Sequence, residues 1–245
     1  MRAHMIKRFV FVAVVAAAGC RSFDRGAPLD LSTDGADQTA AVMSTEGQTL
    51  VYNFRAVEPG VLYRASDFNR AKPASAAPDA QPIAFQDGQL FTFIRSKNIH
   101  QVMSLLPTPE YYAEEGYFQY WTKRSGYVVK TMQVSVAPEA VYGNNDRSGV
   151  HAAAELLAVM KHRKPEDGAV LIHGEAGKDA IGVMAAAYEL ARTAGRVDDA
   201  AAWNGVVRRY LASNTFAPPQ SDSAALTSAS LERIRAELMF VARLF

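Results

Sequence analysis

Residues 169–188 read Ala-Val-Leu-Ile-His-Gly-Glu-Ala-Gly-Lys-Asp-Ala-Ile-Gly-Val-Met-Ala-Ala-Ala-Tyr, and their polar groups are spaced to hold an anion. The run 169–172 is apolar and rich in branched side chains, as a buried strand is. Gly174 and Gly177 then allow a tight turn, and the Ala-rich segment from about Lys178 predicts a helix. A strand–turn–helix of this kind gathers backbone N–H groups into a nest. The helix dipole adds positive potential there, so phosphate is the natural occupant. The nest would be lined by Gly174, Glu175, Ala176, Gly177, Lys178, Asp179 and Ala180, with Lys178 supplying a cation.

Groups able to do more than bind are few. His173, Glu175, Lys178 and Asp179 lie in or beside the turn, and Asp179 at a helix start reads as a dipole partner rather than a nucleophile. Upstream, Gly143-Asn144-Asn145-Asp146-Arg147 offers Asp146 as a candidate general acid and Arg147 as further positive charge. The competing role for Asp146 is the N-cap of a helix that starts at about Ser148. No His/Asp pair has metal-ligand spacing, so neither a metal nor any other cofactor is implied.

The elements that must position these groups follow from periodicity. Residues 53–66 hold a Pro59-Gly60 turn between two apolar runs, which predicts a hairpin-like entry. Residues 67–87 are Ala/Pro-rich and predict a long surface loop. Helices are expected over 89–97, 109–125, 148–161, 198–212 and 222–244, and strands over 99–106 and 127–136. In the second helix Tyr111, Tyr112, Tyr117, Phe118, Tyr120 and Trp121 recur at helical spacing and read as core. Strands alternating with helices predict an α/β fold: a central, mostly parallel sheet flanked by helices, with a helical C-terminal part.

Two segments resemble one family. The turn His173-Gly174-Glu175-Ala176-Gly177-Lys178-Asp179-Ala180-Ile181-Gly182 resembles the phosphate loop of tyrosine and dual-specificity phosphatases, His-Cys-x-x-Gly-x-x-Arg-Ser/Thr-Gly. Asn53-Phe54-Arg55-Ala56-Val57-Glu58-Pro59-Gly60-Val61-Leu62-Tyr63-Arg64-Ala65 resembles the opening signature of a bacterial, fungal and plant branch of that superfamily. The resemblance implies a cysteine-phosphatase-like fold from about Leu50 onward and phosphoric monoester hydrolysis as the ancestral activity. It also implies that His173 supports the loop by hydrogen bonding. The reactive positions depart from the pattern. Gly174 stands where the nucleophilic Cys belongs, Ala180 where the phosphate-clamping Arg belongs, and Ile181 where the hydroxyl belongs. Without them there is no thiolate to attack phosphorus and no bidentate fork for the transition state.

Composition and the N-terminus bound the setting. The chain has 245 residues, 49% hydrophobic and 21% charged, which suits one domain with a full core. A net charge of +1 gives no bulk electrostatic case for nucleic acid or membrane binding. The single cysteine, Cys20, forbids an intrachain disulfide. Arg2, Lys7 and Arg8 precede a short apolar run that ends Ala17-Ala18-Gly19-Cys20, which resembles a bacterial lipoprotein signal with Cys20 lipidated. The alternative is a plain secretory signal. Expected boundaries are 1–20 for the signal, 21–48 for a flexible tether and 49–245 for the phosphatase-like domain.

The expectation is therefore a lipid-anchored pseudophosphatase of the bacterial envelope. It would bind a phosphorylated small molecule or phosphoprotein without turnover. The alternatives are an active phosphatase using non-standard groups, and an envelope scaffold with an empty pocket.

Overall fold

A computed structural model describes residues 38–43, 49–68, 83–134, 145–174 and 179–193, with residues 203, 205, 206, 232, 235–238 and 241 of the C-terminal region. Six strands form one sheet: β1 (Gln38–Met43), β2 (Thr49–Glu58), β3 (Leu62–Ser66), β4 (Ile99–Ser104), β5 (Lys130–Gln133) and β6 (Ala169–Gly174), ordered β1-β2-β3-β6-β4-β5. The first two pairings are antiparallel, and β3, β6, β4 and β5 are mutually parallel. Helices α1 (Ile83–Gln86), α2 (Gln89–Ser96), α3 (Thr108–Ser125), α4 (Asn145–Lys161) and α5 (Asp179–Thr193) complete the described elements with a 3₁₀ turn at Pro165–Asp167. This is the mixed α/β architecture expected, with the parallel strands at its centre.

Side-chain alternation along the strands splits the core into two layers. Leu62, Met103, Val170 and Ile172 pack with α4 and α5. Tyr63, Val102, Ala169 and Leu171 point the other way, with α1, α2 and α3. The sheet is thus covered on both faces, as parallel strands require. On the α4–α5 side Tyr188 and Arg192 both engage the Glu58 carboxylate, tying α5 to the β2–β3 hairpin.

The hairpin turns at Pro59-Gly60 as the sequence predicts, with Arg55 opposite Arg64. Other boundaries differ. Residues 38–43, expected in the tether, pair with β2 as an edge strand, so the sheet starts about ten residues earlier than the expected domain start at 49. The sequence of this strand, Gln-Thr-Ala-Ala-Val-Met, has no apolar–polar alternation to mark it as one. The expected surface loop 67–87 begins with buried Asp67 and Phe68 and ends in α1, whose Ala84 and Phe85 are buried. Its middle, 69–82, lies outside the described residues. So do most of the expected helices 198–212 and 222–244, whose described positions are helical, with Trp203, Val206, Leu238 and Val241 buried.

The aromatic stripe on α3 is divided rather than wholly core. Tyr111, Tyr117 and Phe118 are buried, whereas Tyr112 is 62% and Tyr120 55% exposed. The buried members are kept polar-satisfied. Tyr117 Oη donates to the Asp87 carbonyl at 2.9 Å and accepts from Phe91 N–H at 3.0 Å. Burial raises its pKa, so it stays a neutral phenol.

Gly168 governs how β6 enters the sheet. Its φ is +73°, and a Cβ there would lie 2.3 Å from His100 Cδ2 and 2.7 Å from the Asn98 carbonyl oxygen. Backbone strain and overlap add, so Gly168→Ala is expected to destabilise by ~3 kcal/mol or more. Urea unfolding followed by circular dichroism measures this, and a loss below ~1 kcal/mol would show that the turn relaxes freely.

Candidate functional site

The carboxyl ends of the parallel strands meet the starts of α4 and α5, the usual crevice for ligands in open α/β sheets. At the centre is the end of β6. His173 lies in register with Ser104 of β4 and with Ala65 of β3, and Gly174 with Ser66 of β3. The ladder continues one residue further, since Leu105 N–H donates to the His173 carbonyl at 2.9 Å.

His173 and Gly174 face opposite layers because a strand alternates. The His173 side chain points toward α3, fully buried, and stacks on Phe68 with ring centroids 4.4 Å apart. Its Nε2 lies 3.0 Å from Glu114 Oε1, and both side chains are 0% exposed. An ionised carboxylate only accepts, so against it the imidazole donates through Nε2–H. Nδ1 of His173 and Oε2 of Glu114 have no hydrogen-bond partner among the described residues. The resemblance implied a loop-supporting His173, and the structure puts its ring within the protein, bonded to α3. Glu114 was missed by sequence reading. The signal was available: a carboxylate flanked by Tyr111, Tyr117 and Phe118 on one helical face must find a partner when that face is buried.

Gly174 faces α5. A Cβ built on it would stand 3.3 Å from Leu105 Cβ and 3.5 Å from both Cδ1 and Cγ1 of Ile181. Ile181, in the first turn of α5, is 2% exposed. The first atom of any side chain at this position would therefore sit against hydrocarbon. Ala180 is half-buried, and its methyl group offers no hydrogen bond.

Neighbouring hydroxyls do not replace the missing nucleophile. Ser66 Oγ accepts from Tyr52 N–H at 3.0 Å and donates to the Asp67 carbonyl at 3.2 Å. Ser104 is fully buried, and its Oγ lies 3.4 Å from Leu106 N–H.

The remaining sequence candidates fall as follows. Glu175, Ala176, Gly177 and Lys178 lie outside the described residues. Asp179 begins α5. Asp146 is the second residue of α4, not the residue before it, because that helix starts at Asn145 rather than near Ser148. The N-cap role expected of Asp146 is therefore corrected: it sits in the first turn, where a negative charge still favours the dipole. Both helix N-termini lie at the carboxyl end of the sheet, so Asp146 and Asp179 share that end. Among the described residues no group of three or more His, Cys, Asp or Glu side chains is arranged to hold a metal ion. No described helix is long and apolar enough to cross a membrane.

No protein-family model and no curated protein matches this chain. Solved structures do. TpbA of P. aeruginosa is 13% identical with a TM-score of 0.40, covering 86% of this chain and 96% of that one. The same protein in complex with pTyr matches with 13% identity and a TM-score of 0.37, over 86% of this chain and 91% of that one. The core catalytic domain of the PP-IP phosphatase SIW14 from S. cerevisiae, in complex with citrate, is 14% identical with a TM-score of 0.42, covering 78% of this chain and 90% of that one.

Proposed function

We propose that this chain is a pseudophosphatase of the dual-specificity-like type, lipid-anchored through Cys20 at the bacterial envelope, which binds a phosphorylated ligand at the β6–α5 turn without cleaving it. One observation carries the inactive half of the reading. The position that would bear the nucleophile is a glycine whose missing Cβ faces Leu105 and the buried Ile181. A covalent phospho-enzyme has no atom to form on there, and the nearby serines are engaged with backbone groups.

The binding half rests on what the sequence retains. Gly177 and Lys178 fall in the sequence between the buried strand β6 and the start of α5. Backbone N–H groups and a helix dipole hold phosphate without any reactive side chain. Lys178 adds charge to that nest.

The test is calorimetric titration with inositol hexakisphosphate, phosphotyrosine and inorganic phosphate, together with an assay for released phosphate. Saturable binding of at least one ester, weakened about tenfold by Lys178→Ala and accompanied by no release, is the expected result. Absence of binding at millimolar ligand would overturn the binding reading and leave an envelope scaffold with an empty pocket. Phosphate release that is lost on Asp146→Asn or Asp179→Asn and is insensitive to thiol reagents would instead establish an enzyme with non-standard groups. Incorporation of labelled fatty acid, abolished by Cys20→Ser, tests the anchor separately.

A further inference from the structure

We infer that the end of the domain where the parallel strands begin docks on an anionic phospholipid bilayer, leaving the candidate site facing away from it. Helices α2 and α3 both end there, immediately before β4 and β5. Arg95 closes α2, Lys123 and Arg124 close α3, and Lys130 opens β5; all four are exposed. Basic residues in a last turn complement the helix dipole, but Lys130 starts a strand and has no such role.

The four have no carboxylate partner among the described residues. Arg95 lies over the Tyr127 ring at 5.8 Å, and Arg124 Nη1 is 3.4 Å from the Tyr120 hydroxyl. Arg95 and Arg124 are thus set against an aromatic ring or a phenol instead of an acid. Tyr120 is 55% and Val128 48% exposed beside them. Tyrosines with an apolar body and a polar tip, flanked by Lys and Arg, suit the headgroup region of a bilayer. The described acids Glu58, Glu166 and Asp167 at this end lie toward the other helical layer, where Tyr188 and Arg192 of α5 engage Glu58. There Asp167 Oδ2 accepts from Lys164 N–H at 2.8 Å.

The chain's own route agrees. β1 runs in the same direction as the parallel strands, since two antiparallel pairings relate it to β3. The chain therefore enters the sheet coming from the basic end. About 17 residues separate Cys20 from Gln38, and a random-coil chain of that length has a root-mean-square reach of about 23 Å. Six strands at about 4.8 Å spacing span a similar width. A lipid on Cys20 and the basic end can meet one membrane together. The candidate site lies at the opposite ends of the strands, about 15–20 Å further out. The direction of approach rests on the anchor reading above; the docking surface does not.

For that reason the test omits the lipid. The polypeptide from residue 21 onward holds every described element and lacks both the leader and Cys20. Its co-sedimentation with vesicles of one-third phosphatidylglycerol in phosphatidylcholine is expected to exceed that with pure phosphatidylcholine and to fall with added salt. The variant Arg95→Gln, Lys123→Gln, Arg124→Gln, Lys130→Gln should lose at least about tenfold in partitioning, since each juxtamembrane cation contributes about fivefold. The double variant Lys123→Gln, Arg124→Gln, confined to the exposed end of α3, should lose an intermediate amount with an unchanged circular dichroism spectrum. Equal binding to neutral and anionic vesicles, no binding to either, or undiminished binding by both variants would overturn the inference. So would retention on single-stranded nucleic acid without vesicle binding. A docking surface that works here while Cys20→Ser leaves fatty-acid labelling unchanged would refute the anchor alone.

Discussion

Restoring the missing cysteine alone should yield no phosphatase. Gly174→Cys puts a Cβ 3.3 Å from Leu105 Cβ, a separation at which the neighbour must give way, with Ile181 at 3.5 Å behind it. Gly174 is not among the glycines with positive φ, so the obstacle is space and not backbone conformation. Overpacking of this size costs about 1–3 kcal/mol, and the Cβ that carries the thiol would be set against hydrocarbon. Burial of that kind raises a thiol pKa and leaves it inert. The triple variant Gly174→Cys, Ala180→Arg, Ile181→Thr trims the Ile181 side chain so that only Leu105 must give by a few tenths of an ångström, adds the bidentate clamp and restores a hydroxyl. It is expected to release phosphate from an aryl phosphate above the unreacted blank, with inactivation by iodoacetamide, while the single variant stays at background. A folded triple variant with no turnover would show that the crevice has drifted beyond the ancestral chemistry. Turnover by the single variant would show that Ile181 does not close the site.

The second large effect is expected far from any ligand. Glu114→Leu should destabilise the protein by about 3–5 kcal/mol, because it removes one member of a fully buried hydrogen-bonded pair and leaves the other without a partner. Adding His173→Phe in the same chain should recover most of the loss. The aromatic ring can keep the stacking on Phe68, and no polar group is then left stranded. A double-mutant cycle in urea measures the coupling. Additive losses, with the double variant the least stable of the set, would mean that the pair is not an interacting unit. Ligand affinity provides an independent readout. If His173 holds the turn in place through this pair, the double variant should be stable yet bind phosphate esters more weakly.

Much of the fold was legible because its signals are local. The apolar run 169–172, the Pro59-Gly60 turn and the helical periodicity of 89–97 each report on neighbours within a few residues. Strand β1 was not legible, since Gln38–Met43 gains its identity from pairing with β2 rather than from its own pattern. The aromatic stripe on α3 was read as one face, but a helix of this length also presents Tyr112 and Tyr120 to solvent. Periodicity alone did not separate the two sides when both carried tyrosine. The start of α4 shifted by three residues because Asn145 and Asp146 are common both before and inside a first turn.

The turn after β6 shows the same division. Residue identities by themselves determined that positions 174, 180 and 181 lack a thiol, a guanidinium and a hydroxyl, because chemistry absent from the side chains cannot be supplied by folding. They also determined that a strand precedes a helix here, which follows from local propensity. Only the tertiary structure decided that Ile181 and Leu105 pack against the Cβ position of Gly174, and that Glu114, 59 residues away in sequence, bonds His173. Those facts depend on which side chains a strand end sends to each layer of the sheet. That depends on register with β3 and β4, and register is a property of chain segments meeting in space.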